Sequence, residues 1–408
     1  MGPRSSGENR VARHGRLSDN KRPVNARTRR PSLVGLALLA SAFAAAPQDA
    51  GPGFVLQGEG GLVTAFALDP TTPSTIYAST ARGLYKTTDA GASWRRLGAG
   101  LQQHALLAIA VDPSTPSNLY ATTDKGGVYR SRDGGERWQE ANTGIGARYV
   151  GSIAVDPHRA GGVYAGAEGG RVFRSDDGGG SWRELTPPTT HVAVTVIVVD
   201  PLTPDRLYAG TNSEGVFFSA DGGTTWARPT GRLSRGTVWN LTFDPSNGEM
   251  FAGTHDGLFR SSDHGVTWSP ANGGLRSWNV LSIAMDPSSP QTMYAGTAAA
   301  IYKSTDRGRS WTELKNDLYV TALAIDPRST STLYAATHLG VIKSENAGAA
   351  WKPLRMAPSL DAAAAGSGGH ESTATSHLPR IPQKAAPQTA PSLRTLPVQT
   401  PPAAAPAP

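Results

Sequence analysis

Ser131 to Trp138 reads S-R-D-G-G-E-R-W. The same phrase returns as Thr87 to Trp94 (T-T-D-A-G-A-S-W), Ser175 to Trp182 (S-D-D-G-G-G-S-W) and Ser219 to Trp226 (S-A-D-G-G-T-T-W), and again at Ser261 to Trp268, Ser304 to Trp311 and Ser344 to Trp351. The pattern is S/T-x-D-x-G-x-x-W, with Asp89, Asp133, Asp177, Asp221, Asp263 and Asp306 at the acidic position and Asn346 in the last copy. The tryptophans Trp94, Trp138, Trp182, Trp226, Trp268, Trp311 and Trp351 follow one another at 44, 44, 44, 42, 43 and 40 residues. A period in the forties marks stacked supersecondary units, none of which buries its apolar face alone.

Each residue type in the pattern suits a hairpin turn. A short carboxylate accepts backbone N–H groups and holds a tight bend, here expected two residues on. The glycine two places later takes a conformation that a β-carbon resists. The serine or threonine hydroxyl ties the turn to its neighbour. The tryptophan opens a new strand and offers a broad apolar face for wedging between units. These aspartates therefore read as structural, not catalytic.

With those residues in view, the boxes resemble the Asp-box, or BNR, repeats of β-propellers. Bacterial sialidases, sortilin-type receptors, xyloglucan-degrading glycosidases and the photosystem II stability/assembly factor carry such repeats. The resemblance covers about residues 54 to 354. It implies a fold; it does not choose among enzyme, receptor and assembly factor.

Each unit holds four short apolar segments. The first alternates and ends in Asp-Pro, as in Val150 to Pro157, where proline cannot continue the ladder and aspartate favours a turn. The second reads L-Y-A-G-T or close to it (Leu207 to Thr211), the third G-V-Y-R-S (Gly127 to Ser131), and the fourth begins at the tryptophan. Four strands in each of seven units predict an all-β fold, a seven-bladed β-propeller of four-stranded antiparallel blades. A seven-unit solenoid fits the same period. Gly53 to Gly60 aligns with Ser93 to Gly100, Phe54 standing for Trp94. This extra strand is expected to pair beside Trp351 to Leu354, or replace it, and so close a ring.

Composition narrows the function. The formal charge of +7 lies wholly in residues 1–46, which hold nine basic and two acidic residues; the rest balances thirty against thirty. The basic pI is thus no sign of nucleic acid as a partner. No cysteine is present, which excludes thiol chemistry and leaves a core-held domain. Pro31 to Ala46 reads as a signal-peptide core after a basic segment, and Arg29-Arg30 resembles part of a twin-arginine signal. An uncleaved tail on a cytosolic protein is the other reading. The expected division is a leader over 1–50, a propeller over 51–356 and a disordered Pro/Ala-rich tail over 357–408, with no stable membrane span after leader cleavage. The expected destination is periplasmic, cell-surface or extracellular.

Function is expected where the repeats differ. Asp-Pro turns and Asp-boxes share one face of an up-and-down blade. The opposite face receives unit-to-unit loops with His104, Arg148, Tyr149, His191, Arg232, Arg235, Trp239, Asn240, Arg276, Trp278, Asn279 and Tyr319. It also receives the loops between second and third strands, with Arg82, Asp124, Lys125, Glu168, Asn212, Glu214, His255, Asp256 and His338. Trp239 and Trp278 lie outside the boxes, in comparable places of successive repeats. Beside Arg and Asn they suit a sugar ring or an extended peptide; alternatively they plug the mouth of a central tunnel. The expected binding set is Arg148, Tyr149, His191, Arg235, Trp239, Asn240, His255, Trp278, Asn279 and Tyr319, with a protein or glycan as partner. A glycosidase would need two of Asp124, Glu168, Glu214 and Asp256 within about 5–10 Å. The sialidase Arg-Ile-Pro signature is missing at the start of the repeats. No histidine pair has metal-ligand spacing and no phosphate loop is present, so neither metal nor cofactor is expected.

Overall fold

The computed structural model describes residues 63–354, apart from 81, 82, 99, 102, 103, 186, 187, 190 and 245. They all fall in one compact unit, Met1–Leu360; a second, Asp361–Pro408, lies outside the described residues. So do the leader, Phe54 to Leu56 and Arg82.

The chain is all-β, built from antiparallel sheets of four strands in chain order. The first contains Val63–Leu68, Ile76–Thr80, Gly83–Thr87 and Arg95–Leu97. Five such sheets stand separately, and the fourth and fifth repeats join in one eight-stranded sheet. The first strand of a repeat is buried on both faces: every residue of Val63–Leu68, Val150–Val155, Val194–Val199 and Val320–Ile325 is covered. Alternation with small residues therefore reflects neighbours on each side, not one wet face.

Every first strand carries one register shift near its start, at Thr64, Leu107, Gly151, Thr195, Trp239, Leu281 and Thr321. Where the extra residue is threonine, its hydroxyl reaches the next sheet. Thr64 Oγ1 donates to the Leu106 carbonyl at 3.0 Å and Thr195 Oγ1 to that of Val238 at 2.5 Å. Thr321 Oγ1 does the same to Val63, at 2.6 Å, so the last sheet contacts the first. Val63, Phe66 and Trp94 share one apolar cluster with Ala322, Tyr334 and Val341.

The Asp-box turn works by a different partition of bonds from the one expected. Gly135 N–H donates to Ser131 Oγ at 2.9 Å, and that hydroxyl donates to Asp133 Oδ1 at 2.8 Å. The aspartate accepts Arg137 N–H, four residues on, at 3.0 Å. The N–H two residues on thus goes to the hydroxyl, because the serine lies beneath the bend and the carboxylate reaches over it. Asn346 keeps the scheme through its amide oxygen, accepting from Ala350 N–H at 2.8 Å and Ser344 Oγ at 3.0 Å. The box glycines sit at positive φ, 92° at Gly91 and at Gly135. At Gly135 an added Cβ would come within 2.8 Å of Leu97.

The box carbonyls fasten neighbouring sheets. In four repeats the tyrosine of the second strand donates to the next sheet's box, as Tyr77 to Gly134 at 3.2 Å, Tyr208 to His264 at 2.9 Å and Tyr294 to Ala347 at 3.2 Å, whereas the buried Tyr164 hydroxyl has no partner. Tyr334 donates to Ala90 at 3.3 Å, again from last sheet to first. A cation from the third strand lies over the ring, as Lys86 over Tyr77 at 5.3 Å, and Lys86 Nζ donates to the same carbonyl at 3.0 Å. The box tryptophans also reach across: Trp182 and Trp311 donate to the carbonyls of Ala141 and Ala271, one repeat back, at 2.7 and 3.0 Å.

The fourth repeat departs from four strands. Its outer strand shrinks to one bridge, Phe218 to Ala227. Ala141, Leu185 and Ala271 donate to Val128, Val172 and Leu258 at the next rung, but Pro229 stands there and has no N–H. The chain turns away, and Thr230–Gly231 pairs in parallel with Thr267 and Trp268 of the fifth repeat. Asn212 and Ser213 pair with Thr237 and Gly236, completing the join.

Asp177→Ala removes an acceptor of four hydrogen bonds from the box and is expected to cost about 1–2 kcal/mol in thermal or urea unfolding. Hydroxyl and backbone donors favour the charged form, holding Asp89, with Ser93 as chief donor, and Asp306, with Ser310, at about 2. A folded value below the unfolded one gives stability that is present above about pH 4 and lost as pH falls toward 2. A melting temperature flat across that window would refute the assignment.

Candidate functional site

Backbone bonds define two faces. In six repeats an Asp-box N–H donates to the loop after the first strand, as Gly134 to Ser117 and Ala347 to Ser331. On the other face, a residue at the end of the second strand donates to one at the start of the first. The pairs are Asp124 to Ala105, Glu168 to Tyr149, Asn212 to Ala193, His255 to Thr237, Ala298 to Asn279 and His338 to Tyr319, at 3.0–3.2 Å. The sequence-derived site residues cluster along this second set of loops.

The carboxylates there are occupied. Asp124 Oδ1 accepts Ala105 N–H at 3.1 Å, and Glu168 Oε1 accepts Arg148 N–H at 3.3 Å. Glu214 pairs with Arg228, whose guanidinium lies 4.6 Å from the Phe217 ring centre. Asp256 is exposed beside His255, 3.3 Å away. Burial, with the charges of Asp124 and Glu168, raises the Tyr149 hydroxyl above its ordinary value. A tyrosine nucleophile needs the opposite shift. Among the described residues no group of three or more His, Asp or Glu lies together as a metal site.

Four sequence expectations are corrected or sharpened. Asn240 is not on a loop; it is a buried residue of the strand Gly236–Phe243, and its Oδ1 has no partner. Trp239 lies in the same strand, as its register-shift residue, whose counterpart in the next repeat is Leu281 and not Trp278. Counted from the preceding box tryptophan, Trp239 and Leu281 both stand thirteen residues on, whereas Trp278 stands ten. Trp278 does not plug a tunnel: it is 59 % exposed, the most exposed large apolar side chain among the described residues. Trp239 is half-buried, and its Nε1 donates to Asn279 Oδ1 at 2.8 Å. Arg148, Arg235, His191 and His255 are exposed, while Tyr149 and Tyr319 are half-buried. Leu339, 50 % exposed, was missed because a lone leucine in a loop carries no pattern.

The first strands meet at their Asp-Pro ends around a cavity of about 60 Å³ lined by Leu68, Val198, Phe243, Met285 and Ile325 among others. It is apolar and far below the several hundred Å³ of a small-molecule site.

Repeated four-stranded antiparallel sheets, Asp-boxes on one face and variable loops on the other define an Asp-box repeat β-propeller. The chain belongs to the family described as photosynthesis system II assembly factor YCF48, whose model matches residues 80–325. No curated protein matches its sequence. Among solved structures it is similar to a GH74 xyloglucanase from Xanthomonas campestris, at 21 % identity and TM-score 0.61 over 74 % of this chain and 54 % of that one. It is similar to YCF48 bound to D1 peptide, at 16 % identity and TM-score 0.56 over 71 % and 94 %. YCF48 from Cyanidioschyzon merolae follows at 12 % and 0.56, over 70 % and 96 %. At these identities the likeness is one of fold, and the chain spans about half the length of the GH74 enzymes. No helix among the described residues is long and apolar enough to cross a membrane.

His338 gives this face a titration to follow. Its Nδ1 accepts Tyr319 N–H at 3.1 Å, which requires the neutral ring at that nitrogen, and burial lowers its value below 6.5. The stability tied to the neutral ring is present above pH 6.5 and lost as pH falls through the lowered value. The Tyr319 amide resonance should titrate with a midpoint below 6.5; a midpoint at or above it would contradict the buried geometry.

Proposed function

We propose that this protein is an exported, non-catalytic binding or assembly propeller that recognises a protein or glycan on the loop face opposite the Asp-boxes. The observation that carries the reading is the exposed Trp278 beside an Asn279 amide held by Trp239. Arg148, Tyr149, His191, Arg235, His255 and Tyr319, from other loops of the same face, complete the binding set. Asn240, being buried, supports that face from within. Family membership and likeness to a YCF48 structure holding a D1 peptide support an assembly role with a polypeptide client. The working unit is residues 51–356, between the leader and the tail.

In this reading the repeats close as seven blades. The contacts from Thr321 to Val63 and from Tyr334 to Ala90 repeat those that join consecutive sheets, which supports closure over a solenoid. The second reading, a sialidase-like or xyloglucanase-like hydrolase, draws on the GH74 likeness. The bonded states of Asp124, Glu168 and Glu214 and the raised Tyr149 hydroxyl speak against it.

The test displays the full chain to peptide and glycan arrays and to chromogenic glycosides. Arg148→Glu with Arg235→Glu should weaken captured ligands by about tenfold or more, whereas Leu202→Arg on the Asp-box face should not. Ligands lost with Leu202→Arg alone would move the site to the other face. Turnover abolished by Glu168→Gln or Glu214→Gln would make the protein a hydrolase.

A further inference from the structure

We infer that Trp278 and Asn279 form a stacking subsite for one pyranose ring of a neutral oligosaccharide, with Trp239 as the residue that positions the amide. The inference deepens the loop-face reading and rests on it. Orientation carries the argument. An indole N–H donates and never accepts, so the Trp239 bond at 2.8 Å requires the Asn279 oxygen to face it. The Asn279 nitrogen is thereby turned away, a donor whose direction does not depend on an amide flip. Trp239 is itself fixed as the register-shift residue of the strand Gly236–Phe243.

The segment between is anchored at both ends. Arg276 N–H donates to Tyr302 Oη at 3.3 Å, and the Asn279 carbonyl accepts Ala298 N–H at 3.0 Å. Between these anchors Trp278 stands 59 % exposed and Arg276 is exposed two residues away. A flat aromatic face next to directed donors matches a pyranose, which presents a C–H face to the ring and hydroxyl oxygens at its edge. A peptide anchor side chain would instead need a pocket to enter, and an indole this exposed stands proud of its surroundings. Little ordering remains to be done on binding, since the donor is already held.

The experiment titrates the full chain with cellopentaose, laminaripentaose, xylopentaose, chitopentaose and mannopentaose by calorimetry, with indole fluorescence alongside. At least one pentaose should bind, and Trp278→Ala should weaken it by about tenfold or more. Asn279→Asp keeps an acceptor for Trp239 but turns the donor into an acceptor, and should weaken binding by about fivefold or more. Trp239→Phe leaves the stacking face and frees the amide; it should give a smaller loss together with a shifted Asn279 side-chain amide resonance. No binding by any pentaose, or binding indifferent to Trp278→Ala, overturns the subsite. Peptides captured in the arrays and lost with Arg148→Glu and Arg235→Glu, with no pentaose bound, would remove the sugar subsite and leave the loop-face reading. Pentaose binding lost only with Leu202→Arg would remove both.

Discussion

The structure depends on a hydroxyl and a carboxylate two residues apart. In each box the serine or threonine hydroxyl accepts the glycine N–H and donates a hydrogen bond to the aspartate, or to Asn346 in the last copy, which accepts the N–H four residues on. Backbone donors that would otherwise be buried unpaired are satisfied inside eight residues. The bend also leaves a carbonyl facing the preceding sheet. The neighbouring tyrosine donates to that carbonyl, and the lysine or arginine above the ring reinforces it. One local turn therefore serves two purposes: it makes the hairpin and presents the acceptor to which the previous sheet attaches. Burial of Tyr77 and Tyr294 raises their hydroxyls to about 12, so they remain donors across the whole physiological range.

Where a partner in this scheme is missing, the neighbourhood changes. The fifth repeat carries Phe251 in place of tyrosine, and Arg260 bonds Glu249 instead of a box carbonyl. Glu249 and Asp244, both buried, share Arg307 of the next box, with Asp244 Oδ2 at 3.2 Å. An ion cluster thus stands between these sheets where a phenol stands elsewhere. Such a cluster is costly to break by removing one charge, because the others stay buried. The fourth and fifth repeats are also where Pro229 diverts the outer strand and where two sheets become one. The irregular sector and the Trp239–Asn279 pair sit in adjoining repeats, as expected if a repeated scaffold is kept regular except where something else is selected.

Much was legible in the residues. The tryptophan period announced the units. The Asp-Pro pairs announced the ends of the first strands: Asp112, Asp156 and Asp200 each cap the following turn by accepting N–H groups at 2.8–2.9 Å. The division into two faces followed from strand count alone. The site was legible only in outline. Trp239 and Trp278 looked equivalent because each is a tryptophan shortly after a box, yet they stand thirteen and ten residues beyond it, and strand register pairs Trp239 with Leu281. At Pro229 a missing N–H does not announce where the chain goes next. Asn240 looked exposed because it is polar; its strand register turns it inward among apolar neighbours.

The sequence by itself determined the all-β class, the repeat, the turn chemistry and the faces, because these depend on contacts within about ten residues and recur seven times. Only the tertiary structure decided which hydroxyl meets which carbonyl between sheets and that the last repeat touches the first. It also decided that Trp239 points its N–H at Asn279 while Trp278 is left to solvent. Those outcomes depend on residues forty or more positions apart, as with Trp239 and Asn279, or some 258 apart, as with Thr321 and Val63. No local spacing encodes such distances; they are set when twisted sheets pack and one side chain per interface finds a partner.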